Sequence, residues 1–364
     1  MKGPRDRSTM EIRERYVGVL KQQGRVQLDA DWNEEADEDR HLRRIALRDV
    51  IGRCGAPQDA AGFAISVERN ALVIGAGRYY VEGLLVGNET GPVPYERQPY
   101  VPDPPSWTDA LAQAGGTLGL VYLHVWQRDV GDLEDSSLTE IALGGPDTTS
   151  RVRTVWQVRV LPLVEPPEPE RAQRASCRAD FPEWDAIVAN PEGRLNARVQ
   201  PTTDPDPSGG VATPGGYRGL ENRLYRVEVQ RPGPGAGQGA TFKWSRDNGG
   251  ADGLGIVSDW VVLEDGIEVQ FSDGTYRAGD YWLIPARTAT GDVEWPRSKD
   301  GTPEAQLPRG IEHHYCRLAI IARDAGAEGW RVAEDCRPIF SPLVGGGTDD
   351  RRVTTTTSCA PGSP

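Results

Sequence analysis

The sequence predicts a mainly β protein, a β-rich α+β chain in which antiparallel strands and hairpins form one or two lobes behind one long N-terminal helix. Three observations carry that prediction. Apolar side chains recur at every second residue in several separate stretches, the spacing of strands with one buried face. Glycine and proline number 43 and 29, and so much turn chemistry leaves little room for long helices. A helical spacing of apolar residues survives only near the N-terminus.

That helix is expected from Asp31 to Ile51, with Asp31 as cap, Glu34 completing a capping box and Gly52 ending it. Glu34, Glu35 and Asp37 lie early and Arg40, Arg43, Arg44 and Arg48 late, so side-chain charge opposes the helix dipole in the stabilising sense. Trp32, Ala36, Leu42, Ile45, Ala46 and Val50 form an imperfect apolar stripe, which implies packing against a sheet or a neighbouring subunit. A shorter helix is expected around Met10 to Gln22.

Strands are then expected at Ala64 to Val67, Ala71 to Ile74, Arg78 to Val86, Leu118 to Val130 and Arg151 to Pro162. Residues Pro166 to Pro169 and Asp204 to Gly210 are rich in proline, glycine and acid, which marks a connection or insertion with a short helix near Pro182 to Val188. Strands resume at Leu224 to Gln230 and Ala240 to Ser245, with a turn at Asp247 to Gly250. Asp265-Gly266 suits a type I′ hairpin turn joining Trp260 to Phe271, with Trp260 opposite Phe271 and Val262 opposite Val269. A second hairpin, Tyr315 to Arg323 with Trp330 to Asp335, turns through Asp324 to Gly329 and sets Cys316 opposite Cys336. The expected organisation is an arm and helix over 1–53, a first β lobe over 54–165, a Pro/Gly-rich connection over 166–216, a second β lobe over 217–342 and a flexible tail over 343–364. Trp126, Trp156, Trp244, Trp260 and Trp282 are read as core rather than binding site.

Charge narrows the function classes. Lys and Arg number 41 against 54 Asp and Glu, a net charge of −13, and such a surface repels a phosphate backbone, so no nucleic-acid partner is expected. No apolar stretch reaches the roughly 20 residues of a membrane span. The basic N-terminus has no apolar segment after it, so no signal peptide is read and cytoplasmic assembly is expected. Cys54, Cys177, Cys316, Cys336 and Cys359 are too few and too scattered for a disulfide framework, so reduced thiols are expected.

Chemistry-bearing patterns are sparse. Asp29, Asp31 and Asn33 imitate the start of a calcium loop, but Glu34 replaces its turn glycine and Arg40 its bidentate Glu, so the residues are read as a helix start. Four histidines, His41, His124, His313 and His314, give no nucleophile–base motif, and Gly-x-Ser-x-Gly, His-Glu-x-x-His and phosphate-loop patterns are missing. No catalytic residue and no cofactor are therefore expected. Residues two apart on a strand share a face, so His314 and Cys316, with Cys336 across the hairpin, could hold a structural zinc; a disulfide or redox pair and plain buried thiols are the other readings. Asn88-Glu89-Thr90 fits a glycosylation sequon and is read as a turn.

Seven segments carry a family likeness: Val19 to Glu34, Gly77 to Gly83, Ala142 to Gln157, Tyr217 to Glu228, Thr241 to Gly249, Gly279 to Arg287 and Gly310 to Tyr315. In this order they resemble an uncharacterised-domain family encoded beside phage-tail-like contractile injection systems. The resemblance implies an accessory structural component of the particle, associated with its baseplate or tail appendages and multimeric in the assembly. It also implies presence outside the cell as part of a released particle. Some relatives continue into fibre-like or β-helical extensions, whereas this chain stops soon after Leu343 and is expected to lack a receptor-binding head. The contact residues expected on the arm and helix are Arg25, Trp32, Glu35 and Arg43, with baseplate proteins as partners. The rival readings are a carbohydrate-acting enzyme or effector carried by the particle, and a carbohydrate-binding appendage.

Overall fold

The structure is a computed structural model that describes residues 12–69, 71–89, 91–100, 104, 106–163, 176–202, 215–233, 239–245, 253–323 and 329–342. It is β-rich, as expected, and the chain divides into two compact units. Unit 1 comprises residues 1–184 and 313–364, and unit 2 comprises 185–312. This differs from the expected sequential split, in which residues 166–216 connect two lobes and 217–342 stay together. The strand at Leu195–Val199 belongs to the sheet of unit 2, and the strand at His313–Arg323 returns to unit 1.

Unit 1 begins with helix α1, Asp29–Ile51, two residues earlier than expected. Leu28 takes the cap position, and the Asp31 carboxylate sits three residues on, accepting from Leu28 N at 3.2 Å. A carboxylate in the first turn satisfies an open donor and faces the positive end of the helix. The helix expected near Met10 to Gln22 is a single 3-10 turn, Ile12–Glu14, in its described part, and Gly18 with the β-branched Val17 and Val19 disfavours anything longer.

The strands of unit 1 are β1 (Cys54–Pro57), β2 (Ile65–Glu68), β3 (Ala71–Ile74), β4 (Gly77–Val81), β5 (Leu84–Asn88), β6 (Val93–Pro94), β7 (Leu118–Val130) and β8 (Arg151–Pro162), followed after unit 2 by β17 (His313–Arg323), β18 (Trp330–Asp335) and β19 (Ile339–Phe340). Helix α2 spans Trp107–Gln113 and α3 spans Pro182–Val188. The long sheet has the order β18-β17-β7-β8, antiparallel throughout. Two small sheets, β19-β1-β4-β5 and β2-β3-β6, supply Leu72, Ile74, Tyr79 and Val81 to a core shared with Leu123, Val125, Trp156, Val158 and Leu318 of the long sheet. The expected single strand from Arg78 to Val86 is a hairpin, because Glu82 and Gly83 both take positive φ (48° and 78°) and make a two-residue turn.

That turn seats α1. The Glu82 carboxylate, buried, receives Arg53 Nε at 2.6 Å and Arg48 Nε at 3.1 Å, and the Glu82 carbonyl accepts from Arg44 Nε at 2.9 Å. A Cβ on Gly83 would run into the carbonyl oxygen of Arg44, so this position needs glycine for space as well as for φ.

The expectation of reduced thiols is overturned. Cys54 pairs with Cys316 and Cys177 with Cys336, across sequence separations of 262 and 159. Cys316 and Cys336 are not partners, because a register shift between Ile320 and Ile321 slides β18 along β17 and places Asp335 opposite Ala319. Both disulfides join the segment before unit 2 to the segment after it, and residues 185–312 contain no cysteine.

Unit 2 holds β9 (Leu195–Val199), β10 (Arg223–Arg231), β11 (Thr241–Ser245), β12 (Leu254–Gly255), β13 (Val261–Val262), β14 (Ile267–Phe271), β15 (Tyr281–Arg287) and β16 (Asp292–Val293). Sheet β12-β11-β10-β15-β16 faces sheet β13-β14-β9 across a core of Tyr225, Val227, Phe242, Trp282 and Ile284 against Leu195, Ala197, Ile267, Val269 and Phe271. Asp265 and Gly266 have φ of 48° and 81°, the expected turn. Its register differs by one residue: Val261 pairs with Val269 and Val262 with Glu268. Leu263 N donates to Ile267 O while Ile267 N donates to Glu264 O, so one extra residue enters the ladder and turns Val262 outward. The expected turn at 247–250 and the tail at 343–364 lie outside the described residues.

Two predictions follow from these contacts. In the chain-entropy description, closing loops this long stabilises by roughly 5 kcal/mol each at most. Reduction should lower the calorimetric unfolding transition of unit 1 and leave that of unit 2 in place; two transitions that fall together would contradict it. Glu82→Ala should cost roughly 2 kcal/mol, less than a wholly buried pair because both arginines reach solvent. The measurement is denaturant unfolding with hydrogen exchange, in which α1 amides should lose protection first.

Candidate functional site

Residues 15–28 run as an arm ahead of α1. Arg25 N bonds back to Gln22 O at 3.3 Å around Gly24, whose φ is 73°, so the arm bends there, and residues 15–28 hold no strand or helix. Tyr16, Val17, Leu20, Val26 and Leu28 are exposed, Leu20 at 93%. Seated on Glu82 by Arg44 and Arg48, α1 turns its apolar stripe away from the unit: Trp32, Ala36, Leu42, Ile45, Ala46 and Val50 all face solvent.

The four expected contact residues sit on this surface. Arg25 is exposed at the bend, and Trp32 is exposed with Lys21 Nζ 3.4 Å above its ring. Glu35 and Arg43 face solvent, and Arg43 pairs with Asp39 along the helix. Trp32, Ala36, Arg43 and Val50 share one side of the helix, so the structure places one aromatic and one cation on a common face.

The zinc set is not brought together. Cys316 and Cys336 are consumed by separate disulfides, and His314 Nε2 lies 3.0 Å from Arg44 NH2. His313, on the opposite face, places Nδ1 2.8 Å from His124 Nε2. Around that pair the outer face of the long sheet carries rings: His124 stacks on Tyr315 at 4.7 Å, and Trp184 of α3 meets Tyr122 at 5.5 Å. Arg317 lies over Phe181 and Trp184 and donates to the carbonyls of Cys177 and Ala179. Burial pushes the Tyr122 hydroxyl above its ordinary range, partly offset by Arg159. This is a packed face, where α3 and the Cys177 segment cover the sheet. Trp156 and Trp282 are core as expected, whereas Trp126 and Trp260 are half-buried, the latter under the guanidinium of Arg198.

In unit 2, an open depression of about 470 Å³ is lined by Gln230, Arg231, Pro232, Thr241 and Gly253, with no carboxylate or imidazole among them. Asp280 is the described carboxyl pushed upward, by burial, but Oδ2 accepts from Arg277 N at 2.9 Å within its own turn. Asp335, by contrast, is held low: burial alone would raise it, and Arg337 outweighs that.

Two exposed apolar sites escaped the sequence reading. The β7–β8 loop presents Leu133 (95%), Ile141 (87%) and Leu143, with Glu140 Oε1 accepting from Ala142 N and Asp135 accepting from Ser137 N. The other is Leu220, wholly exposed on a loop closed by Tyr217 OH donating to Glu221 O at 2.8 Å and by Asn222 Oδ1 accepting from Thr288 N at 3.0 Å. Single apolar residues among turn formers have no periodicity to flag them.

Asp280→Asn tests this raised carboxyl. A raised folded pKa means that ionisation opposes folding, so the stabilising contribution is full below the unfolded value of about 3.9 and is lost as pH rises through the folded one. Asparagine keeps an acceptor for Arg277 N without the charge. The variant should gain stability on the parent as pH rises from acid to neutral, and a constant difference across that range would refute it.

No curated protein and no solved structure matches this chain. The profile of a family of unknown function, DUF6519, matches residues 1–173, 183–252 and 250–343, and these stretches take in both units and the arm. The chain belongs to the DUF6519 family of unknown function.

Proposed function

We propose that this chain is a non-catalytic structural component of a phage-tail-like contractile injection particle, held at the baseplate or tail appendages by protein–protein contacts. The observation that carries the reading is the outward apolar stripe of α1 with the arm before it: Trp32, Ile45 and Val50 are exposed on a helix seated by the Glu82 arginines, and Leu20 and Val26 are exposed on the arm. Contiguous exposed apolar surface on an ordered element favours a protein partner. The resemblance of residues 19–34 to a family encoded beside such particles supports a partner within the particle, and the same residues form the bend and the start of α1.

The two disulfides support use in oxidising surroundings, consistent with a released particle. A carbohydrate-binding role would draw on exposed ring platforms; among the described residues the exposed rings are Tyr16 and Trp32, and Lys21 covers the latter.

The test is sedimentation of particles from the producing cells, with this chain tagged. The chain should travel with sheathed particles, and Trp32→Glu with Ile45→Glu should leave it in the supernatant while its thermal unfolding stays unchanged. A parent chain that never sediments with particles ends the reading.

A further inference from the structure

We propose that copies of this chain bind one another head to tail, the arm of one copy lying on the β7–β8 loop of the next. The two surfaces are unlike and complementary. Residues 14–28 carry Arg15, Lys21 and Arg25 against Glu14, a net charge of +2 in a chain whose total is −13. Residues 128–153 carry Asp129, Asp132, Glu134, Asp135, Glu140 and Asp147 against Arg128, Arg151 and Arg153, a net charge of −3. Arg128 pairs with Glu134, with Nη1–Oε2 at 2.6 Å, and Arg153 lies 3.8 Å from Asp135, so these charges cancel within the loop and its excess acid sets the sign.

Both surfaces also present apolar side chains to water. The arm offers Tyr16, Val17, Leu20 and Val26, and the loop offers Leu133, Ile141 and Leu143 with Val152 beside them. Opposite charge fixes register and speeds encounter, while apolar burial supplies affinity. Backbone complements side chains here. From Tyr16 to Gln22 the arm makes no backbone–backbone hydrogen bond as donor among the described residues. The loop runs into β8, the last strand of its sheet. The Gln98 side chain covers the open edge of β8 at Val158, donating to its carbonyl at 2.9 Å and accepting from its amide at 2.6 Å. The other end of that edge, at Arg151 to Thr154, adjoins the acidic loop and is the place for an added strand. A contact between two different patches of identical chains is heterologous, so each copy keeps one patch free for the next.

The inference rests on reading the chain as an interaction protein, but not on the particle. The experiment is sedimentation velocity on the full chain in a Cys359→Ser background, so that an intermolecular disulfide is not counted as the contact. The parent should form dimers and larger species at low ionic strength, with apparent affinity falling about tenfold between ~0.05 and ~0.5 M salt. An arm variant, Arg15→Glu with Lys21→Glu and Arg25→Glu, should be monomeric, as should a loop variant, Leu133→Lys with Ile141→Lys and Asp147→Lys; all six positions lie on the surface. Mixed at equal concentration, the two should form 1:1 dimers and nothing larger, because one good arm then meets one good loop. A monomeric parent, an arm variant that associates like the parent, or a mixture that stays monomeric overturns the proposal; co-sedimentation with particles would be untouched by any of these.

Discussion

Strand β17 lies between β7 and β18, so the sheet that carries the core of unit 1 stays open along its middle until the chain has passed through unit 2 and come back. Residues 313–323 must find residues 118–126 across the whole inserted segment, a pairing whose closure entropy is met before its contacts form. Everything else in unit 1 depends on that return. Leu318, Ala319 and Ile321 complete the apolar cluster, His314 reaches Arg44 of α1, and both disulfides fasten this segment to the one before the insertion.

Helix α1 shows how charge can replace apolar burial in seating an element. An amphipathic helix ordinarily turns its apolar stripe to the core. Here a buried carboxylate at a hairpin tip gathers Arg48 and Arg53, its carbonyl takes Arg44, and the glycine after it lets the helix backbone come close. The stripe is thereby turned to solvent. Unit 2 repeats the device on a smaller scale, where Glu268, buried in β14, pairs with Arg198 of β9, whose guanidinium then roofs Trp260.

Much of this was legible in the residues. The apolar run of Leu118 to Val130 and the alternation of Arg151 to Pro162 give strands with those same bounds, and Asp265-Gly266 gives the turn, because each signal is local. What was not legible is non-local. Nothing near Cys316 says that its partner is Cys54 rather than Cys336, since the answer depends on a bulge in β17 and on where β1 lies. The membership of residues 313–340 in the first unit is set by the same long-range pairing. The direction of the α1 stripe stayed open between a sheet and a neighbouring subunit, because periodicity marks a face without saying what lies opposite it. Arg25, Trp32, Glu35 and Arg43 are each accessible, while the loop apolar residues, standing singly among Gly, Ser and Asp, left no pattern to read.

The ring contact between Trp184 and Tyr315, with centroids 6.4 Å apart, joins the residue just before unit 2 to one just after it. Entry and exit therefore share one doorway. A segment with adjoining ends is a guest: a short bridge across that gap would close the host without distorting its strands, and a different guest of similar span could be threaded through the same opening. Unit 1 thus keeps its arm, its helix and its fastened sheet in segments that lie outside the insertion.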